Sequence, residues 1–315
     1  MDWSERIGRR IKLRDLHIML AVVQCGSMTK AAQQLAVSKP VVSKVIADLE
    51  HVLGVRLIDR DRYGVEPTIY GTALLKRGAV AFDELRQGVK DIEFLSDPSA
   101  GELRIGSADV LLAGFLPAII TRLHRRHPQI NFEVRQSTTV AALYRELRER
   151  NVDLVLARLL RPVAEEDLSA EILFDEPLVV VAGRRNRWRG QRKIELADLI
   201  REPWVLPPEG SGVATFIHDT FRACGLEFPR ANIICDSAQM YAALLEDGPY
   251  LSMRPVTMMR FGVKHPAVKM LPVKLPALPR PVGIITLKRR MVSPVMQLFI
   301  DHARALAKLM TKRGP

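Results

Sequence analysis

A chain of 315 residues, 48% of them hydrophobic, is long for one compact domain and too apolar to be generally disordered. No stretch approaches the roughly 18 uncharged apolar residues of a membrane span, and the polar start MDWSERIGRRIKLRD lacks the apolar centre of a signal peptide. The net charge of +12 suits an acidic partner, but residues 1–65 carry only eleven Lys/Arg against seven Asp/Glu, so any nucleic-acid reading must rest on where the cations sit.

Cys25, Cys224 and Cys235 are odd in number and far from any metal-binding spacing, which reads as three reduced, buried thiols in an intracellular protein. The expected location is the cytoplasm, with no membrane contact.

In chain order, residues 13–24 place Leu13, Leu16, Met19, Leu20 and Val23 at helical spacing, and Gly26 ends that helix. Ser27 is a good N-cap for a second helix to about Leu35. After the turn at 36–38, Ser38 caps a third helix with Pro40 in its first turn, where a missing N–H costs nothing. Val42, Val45, Ile46, Leu49 and Leu53 line one face of it, and Gly54 stops it. Two β-prone runs, VRLI and VEPTI, flank a polar turn at Asp59–Gly64 and predict a hairpin. Residues 68–95 predict one long helix whose stripe of Leu74, Leu75, Ala79, Phe82, Leu85, Val89, Ile92 and Leu95 calls for a partner helix. SDPSAG at 96–101 breaks it. From there strands and helices alternate, which predicts two α/β lobes built on largely parallel sheets.

The third helix has the chemistry of a DNA reader. A helix-turn-helix lays the start of its second helix in the major groove. Ser38, Lys39, Ser43 and Lys44 are short or flexible donors, and Pro40 with Val41 suits thymine methyls. Ser27 and Thr29 stand at a helix start fit for phosphate. Arg60 and Arg62 in the hairpin could grip the backbone or enter the minor groove. In the second half, Ser107 in GSAD and Ser137 with Thr138 in QSTT mark strand ends and helix starts, where ligands of such sheets bind. Arg158 closes the strand VDLVLAR on the same side, and Ser211 in PPEGSG and Arg254 in LSMRP come from the other lobe.

GSMTKAAQQLAVSKPVVSKVIADLEHVLGVRLIDR closely resembles the winged helix-turn-helix of LysR-type transcriptional regulators. The matching features are the Gly-Ser before the second helix, Ala31–Ala32, Ser38, Pro40, Ser43, Leu49–Glu50, Leu53–Gly54, and Leu57 leading to Arg60. The resemblance runs on through a linker helix into a two-lobed domain. It implies an α+β multidomain chain: a winged helix-turn-helix at 11–68, with its helix-turn-helix at about 28–47; a linker and dimerisation helix at 69–97; and an effector-binding α/β domain at 101–315 of the type 2 periplasmic-binding-protein kind. It implies double-stranded operator DNA, a small carboxylic acid or sugar effector between the lobes, and a homodimer or homotetramer.

Ser107, Ser137 and Thr138 match the family's effector-contacting corners, while Arg158 and Arg254 fall near the cleft. Three positions depart from the family pattern. Lys39 stands where glutamine is usual, which moves that contact from adenine toward guanine. Ile58 replaces phenylalanine, read as a change in core packing. Tyr250 puts a ring where glycine is common, which argues against a wide pocket there. No dinucleotide, phosphate-loop, nucleophile-elbow or zinc-protease motif occurs, and His124, His127 and His265 pair with no nucleophile, so neither catalysis nor a cofactor is expected. A secreted solute-binding protein is disfavoured by the fused helix-turn-helix.

Overall fold

The computed structural model describes residues 9–61, 64–107, 109–137, 139–159, 163–262, 266–278 and 280–312. It forms two compact units, residues 1–88 and 89–315.

The first unit begins with α1 (Leu13–Cys25), α2 (Met28–Gln34) and α3 (Lys39–Leu53). Met19, Val22, Ala31, Val42, Ile46 and Leu49 are all but fully buried and form one core between them. Gly26 ends α1 in the left-handed region, φ 58°. The α2–α3 turn closes by Val37 N–H to Ala32 O (3.0 Å) and Ala36 N–H to Gln33 O (3.2 Å). That pair of bonds puts Ala36 at φ 51°, a position glycine usually fills.

The hairpin is β1 (Ile58–Asp61) and β2 (Gly64–Pro67), paired antiparallel. Its first strand starts three residues later than VRLI predicts and runs on through polar residues. Leu57 and Ile58, each 1% exposed, are drawn into the helical core, so pairing begins only where the chain leaves it. β2 is tied back by Val65 N–H to Gly26 O (3.1 Å).

α4 (Ile69–Ser96) runs out of this unit into the next. Thr68 caps it, its Oγ1 accepting from Gly71 N–H (3.1 Å) and donating to Arg56 O (2.8 Å). A Cβ at Gly71 would overlap the Leu57 carbonyl, so only glycine lets the helix start so close to the hairpin. The stripe predicted on α4 divides. Leu74 and Leu75 pack on the first core, whereas Leu85, Val89, Ile92 and Leu95 are 53–78% exposed.

The second unit has two five-stranded sheets. Lobe one orders its strands β4 (Gln129–Gln136), β3 (Ala100–Ser107), β5 (Leu154–Arg158), β12 (Pro281–Leu287), β6 (Leu168–Asp175). Lobe two orders them β11 (Lys269–Met270), β7 (Leu178–Ala182), β10 (Leu251–Pro255), β8 (Trp204–Leu206), β9 (Ala231–Ile234). The sheets are mixed rather than largely parallel. β12 is antiparallel to β5 and β6, and β7 is antiparallel to β10. β6 and β7 lie in different sheets: Glu176 and Pro177 carry the chain directly from lobe one to lobe two, and β12 brings it back, so β7 and β12 are not reached through the helical crossover within one sheet that parallel pairing needs.

The helices of lobe one include α5 (Asp109–Leu112), α6 (Phe115–Arg126) and α7 (Val140–Arg148); lobe two carries α8 (Gly212–Ala223) and α9 (Ala238–Asp247); α10 (Val256–Phe261) follows β10 but packs Val256 and Phe261 on the core of lobe one, and α11 (Pro294–Lys312) closes the described chain on lobe one. The core of lobe one centres on Phe115, Phe174 and Phe299, with the first two rings edge-on at 4.9 Å. Lobe two packs around Trp204 and Phe221, and the Trp204 indole N–H donates to Leu199 O (2.8 Å). Of the cysteines, Cys235 is buried, Cys25 half-buried and Cys224 exposed on the surface, so the expectation of three buried thiols holds for Cys235 alone.

Lobe one also buries a charged triad. Asp153 accepts from Arg104 (2.7 Å) and Arg290 (2.7 Å), and from the Arg104 backbone N–H (2.8 Å). Burial pulls its carboxyl upward, but the two guanidiniums and the backbone donor outweigh it and hold it below the usual carboxylate range. Asp153→Asn therefore leaves two buried guanidiniums under-compensated and destabilises the protein by about 3–5 kcal/mol at neutral pH. Because the folded carboxyl titrates below its unfolded value near 4, its contribution is present above that pH and is lost as pH falls through the folded value. Thermal unfolding against pH should show the gap between wild type and variant closing below about pH 4.

Candidate nucleic-acid interface and interlobe junction

At the start of α3, burial separates two jobs. Val42, Ile46 and Leu49 point inward, while Lys39, Pro40, Val41 and Lys44 are exposed and Ser43 is half-buried. Ser38 occupies the N-cap position but its hydroxyl makes no capping bond, contrary to expectation. Ser27 does cap α2, accepting from Lys30 N–H (3.4 Å), and Thr29 is exposed beside it. Arg60 is exposed on β1; Arg62 lies outside the described residues. The structure thus gathers Lys39, Pro40 and Lys44 on one outward face at a helix start.

Sequence reading missed what orients that face. Glu50 Oε1 accepts the backbone N–H of Leu57 (2.7 Å) and of Ile58 (3.2 Å), fastening α3 to the root of the hairpin. The only cue was a carboxylate seven residues ahead of an apolar pair.

In the second unit, Ser107 and Ser137 meet at one corner, where Ser137 N–H donates to Ser107 O (3.1 Å). The Ser107 hydroxyl is fully buried and donates to Leu156 O (3.0 Å). Ser137 is half-buried with its Oγ near the Thr139 backbone, and Thr139 rather than Ser137 caps α7. Thr138 lies outside the described residues. Ser211 caps α8 through Ala214 N–H (3.1 Å). Arg254 lies over the Tyr241 ring, 3.7 Å from its centroid; burial first of all pushes that phenol well above its ordinary value. Tyr250 packs half-buried against the small cluster of Val205, Cys235 and Tyr241.

Arg158 does not present a free charge. It is 9% exposed, and its Nε donates to Glu176 Oε2 at 2.7 Å, with a second bond from its terminal nitrogen. Glu176, in the link from β6 to β7, also accepts from the Thr257 hydroxyl. Arg280, 3% exposed on the return link, donates to Thr220 Oγ1 (2.6 Å) and Phe216 O (3.1 Å). Its Nε has no partner among the described residues. Both guanidiniums lie on the Phe216 ring, at 5.9 and 5.3 Å from its centroid. Burial, then the like charge of Arg158, pushes the Arg280 guanidinium below its ordinary value. The junction therefore holds two buried cations against one buried carboxylate. Glu176, Thr257, Thr220 and Arg280 were not foreseen, since 18 to 81 residues separate the groups that meet.

The chain matches the family described as "Bacterial regulatory helix-turn-helix protein, lysR family" over residues 13–72 and the "LysR substrate binding domain" over residues 96–308. It belongs to the LysR family of transcriptional regulators. Among its relatives, the transcriptional regulator YdcI of Escherichia coli (strain K12) is 26% identical over 304 residues, 96% of this chain and 98% of that one. The dual regulator GltC of Bacillus subtilis (strain 168) is 27% identical over 296 residues, covering 92% and 96%. The same fold occurs in full-length CbnR complexed with its target DNA, at TM-score 0.56 and 22% identity over 94% of this chain and 100% of that one. Full-length OxyR from Pseudomonas aeruginosa matches at TM-score 0.64 and 20% identity, covering 93% and 95%. This LysR regulator thus pairs a regulatory helix-turn-helix with a substrate-binding domain, and among its described residues no helix is long and apolar enough to cross a membrane.

The Glu50 link generates a test. Glu50→Ala leaves two backbone donors without their charged acceptor and should destabilise the first unit by about 2 kcal/mol, whereas Glu50→Gln keeps an acceptor and most of the stability. Thermal unfolding of the full chain, followed by circular dichroism, reads both.

Proposed function

We propose that this regulator reads operator DNA in the cytoplasm through the exposed start of α3 and is switched by a small anionic effector held between its lobes. Residues 11–68 make the DNA contact, 69–97 pair subunits, and 101–315 take the effector. The observation that carries the DNA reading is the outward row of Lys39, Pro40 and Lys44 on a helix whose other face is sealed in the core. Ser38 and Ser43 add hydroxyl donors there; Ser27, Thr29, Arg60 and Arg62 hold the phosphates and groove flanks. The exposed face of Leu85, Val89 and Ile92 on α4 suits a second copy of the helix, placing two modules on successive half-sites. A dimer, or a dimer of dimers, follows. The relatives are regulators, and no catalytic step is assigned.

Lys39 distinguishes this chain within its family, since a flexible amine favours the acceptors of guanine where an amide favours adenine. Binding-site selection on wild type and Lys39→Gln should return operators differing at one base pair per half-site, guanine giving way to adenine. Identical selected sequences would overturn that assignment.

For the effector, the cation excess at Arg158, Arg280 and Glu176 favours an anion over a neutral sugar. We assign Ser107, Ser137, Thr138, Ser211 and Arg254 to the same site as its hydrogen-bonding groups. Titration calorimetry of small carboxylic acids against sugars should give binding for acids alone, abolished by Ser137→Ala with Thr138→Val. Binding that survives this double change would move the effector elsewhere.

A further inference from the structure

Two-thirds of this protein's net positive charge lies outside its DNA-reading unit, no more than the length of that part accounts for, so what stands out is a local cluster rather than the total. Residues 1–88 carry 14 Lys/Arg against 10 Asp/Glu, whereas residues 89–315 carry 33 against 25. The densest concentration is GRRNRWRGQRK at 183–193, where β7 ends. From residue 184 to 202 the chain has seven Lys/Arg and three Asp/Glu.

The segment is built to hold its shape. Asn186 Nδ2 donates to Pro249 O (2.6 Å), and Asn186 Oδ1 accepts from Trp188 N–H (3.0 Å) to cap a short 3-10 turn, Arg187–Gly190. The Arg184 and Arg185 backbone N–H groups donate to Leu245 O (2.9 Å) and Gly248 O (3.2 Å). Two of its cations serve the scaffold. Arg187 pairs with Glu202 (3.0 Å) and lies on the Trp188 ring, and Arg189 donates to the carbonyls of Ala182 and Ala267. Lys269, on the edge strand β11, donates to Arg189 O (2.6 Å).

The other four cations are displayed. Arg184, Arg185, Arg192 and Lys193 are exposed, and their side chains have no hydrogen bond or ion pair to any described residue. The nearby acids do not neutralise them. Glu202 is taken by Arg187; Asp198 binds the Glu195 backbone N–H (3.0 Å); Glu246 and Asp247, at the end of α9, form no salt bridge to them. Four such cations on a pinned loop keep self-repulsion that a soluble protein gains nothing from unless a polyanion meets them. The partner of a regulatory helix-turn-helix, duplex DNA, is such a polyanion.

We propose that the loop at 184–193 is a second, sequence-independent DNA contact, in which Arg184, Arg185, Arg192 and Lys193 hold the phosphate backbone of operator-flanking duplex. This goes beyond the proposed role of α3 and rests on it, since it is α3 that brings the protein to duplex DNA. Guanidiniums on a fixed loop suit phosphate oxygens, and the loop offers only a short 3-10 turn, not the helix or two-stranded ribbon that fills a major groove. The contact adds affinity and salt dependence without adding sequence preference.

The test uses the full-length protein and two duplexes: the operator half-sites alone, and the same half-sites flanked by additional helical turns. The dependence of affinity on salt is measured for wild type and for a variant carrying Arg184→Gln, Arg185→Gln, Arg192→Gln and Lys193→Gln. On the long duplex the salt slope should become shallower by about 0.9 for each phosphate that is no longer neutralised, roughly 2 to 4 in all, with affinity at low salt at least about tenfold weaker. On the short duplex both should be unchanged, and so should the sequence chosen in binding-site selection. A charge-keeping variant, Arg184→Lys with Arg185→Lys and Arg192→Lys, should retain wild-type slopes and controls for folding. An unchanged slope on the long duplex overturns the proposal, and so does an equal weakening on both duplexes, which would mark a general field rather than a contact. Failure of wild type to bind the short duplex would instead defeat the reading of α3.

Discussion

Everything in the first unit converges on one peptide segment, Leu57–Ile58. Its two N–H groups are held by the Glu50 carboxylate from α3, while the Leu57 carbonyl accepts from the Thr68 N–H (2.9 Å) at the root of α4. Gly71 exists at that root because any Cβ would collide with the same carbonyl. One extended link thus fixes the reading helix, the hairpin and the start of the linker helix with respect to each other. A charged acceptor for two backbone donors is about the strongest device available at so small a size, and it acts where Leu57 and Ile58 are already sealed from water. The helix that exposes Lys39 and Lys44 is thus held in place by a carboxylate on its own C-terminal half.

The second unit uses charge differently. In lobe one, Asp153 sits between Arg104 and Arg290, two cations to one anion, but with a backbone donor and the Val152 carbonyl (3.1 Å from Arg290) completing the coordination. At the lobe junction Glu176 also faces two guanidiniums, yet it is spent on Arg158 and Thr257, and Arg280 falls back on a hydroxyl and a carbonyl. The first arrangement is closed; the second leaves Arg280 Nε without a partner among the described residues, beside an aromatic ring. That contrast is physical ground for assigning structure to the triad and ligand exchange to the junction. Buried charge without full compensation is costly, and a bound anion relieves it.

Local patterns were readable from the sequence and distant pairings were not. The three helices, their glycine stops and the α4 span follow from periodicity and caps, because those signals lie within a few residues. The hairpin was displaced because the apolar run VRLI serves the helical core, a tertiary demand that β-propensity cannot register. The largely parallel sheets failed for a topological reason: two links carry the chain straight between lobes, and each enters its sheet from the opposite end. Arg158 could be placed at a strand end, but its carboxylate lies across the β6–β7 link, and nothing in LFDEPLVV marks Glu176 as an interior group. Lys39 was legible, since a helix start exposes its first residues whatever the rest of the fold does.

Comparing Lys39 and Lys44 with Arg184 and Arg185 shows why bulk charge misleads. The modest excess in the reading unit suffices, because discrimination between bases comes from two or three donors held at the right angle by a buried face. Extra cations there would add phosphate affinity for every sequence alike and so dilute preference among operators relative to total binding. Cations that supply only affinity are better carried elsewhere, on a surface that cannot reach base edges. The contact proposed at 184–193 fits that division: the loop is pinned by Asn186, Arg187 and Arg189, while Arg184, Arg185, Arg192 and Lys193 are exposed. With Lys39 and Lys44 exposed on α3 and a local cluster of cations at 184–193, it is the placement of charge rather than its total that a division between specificity and affinity demands.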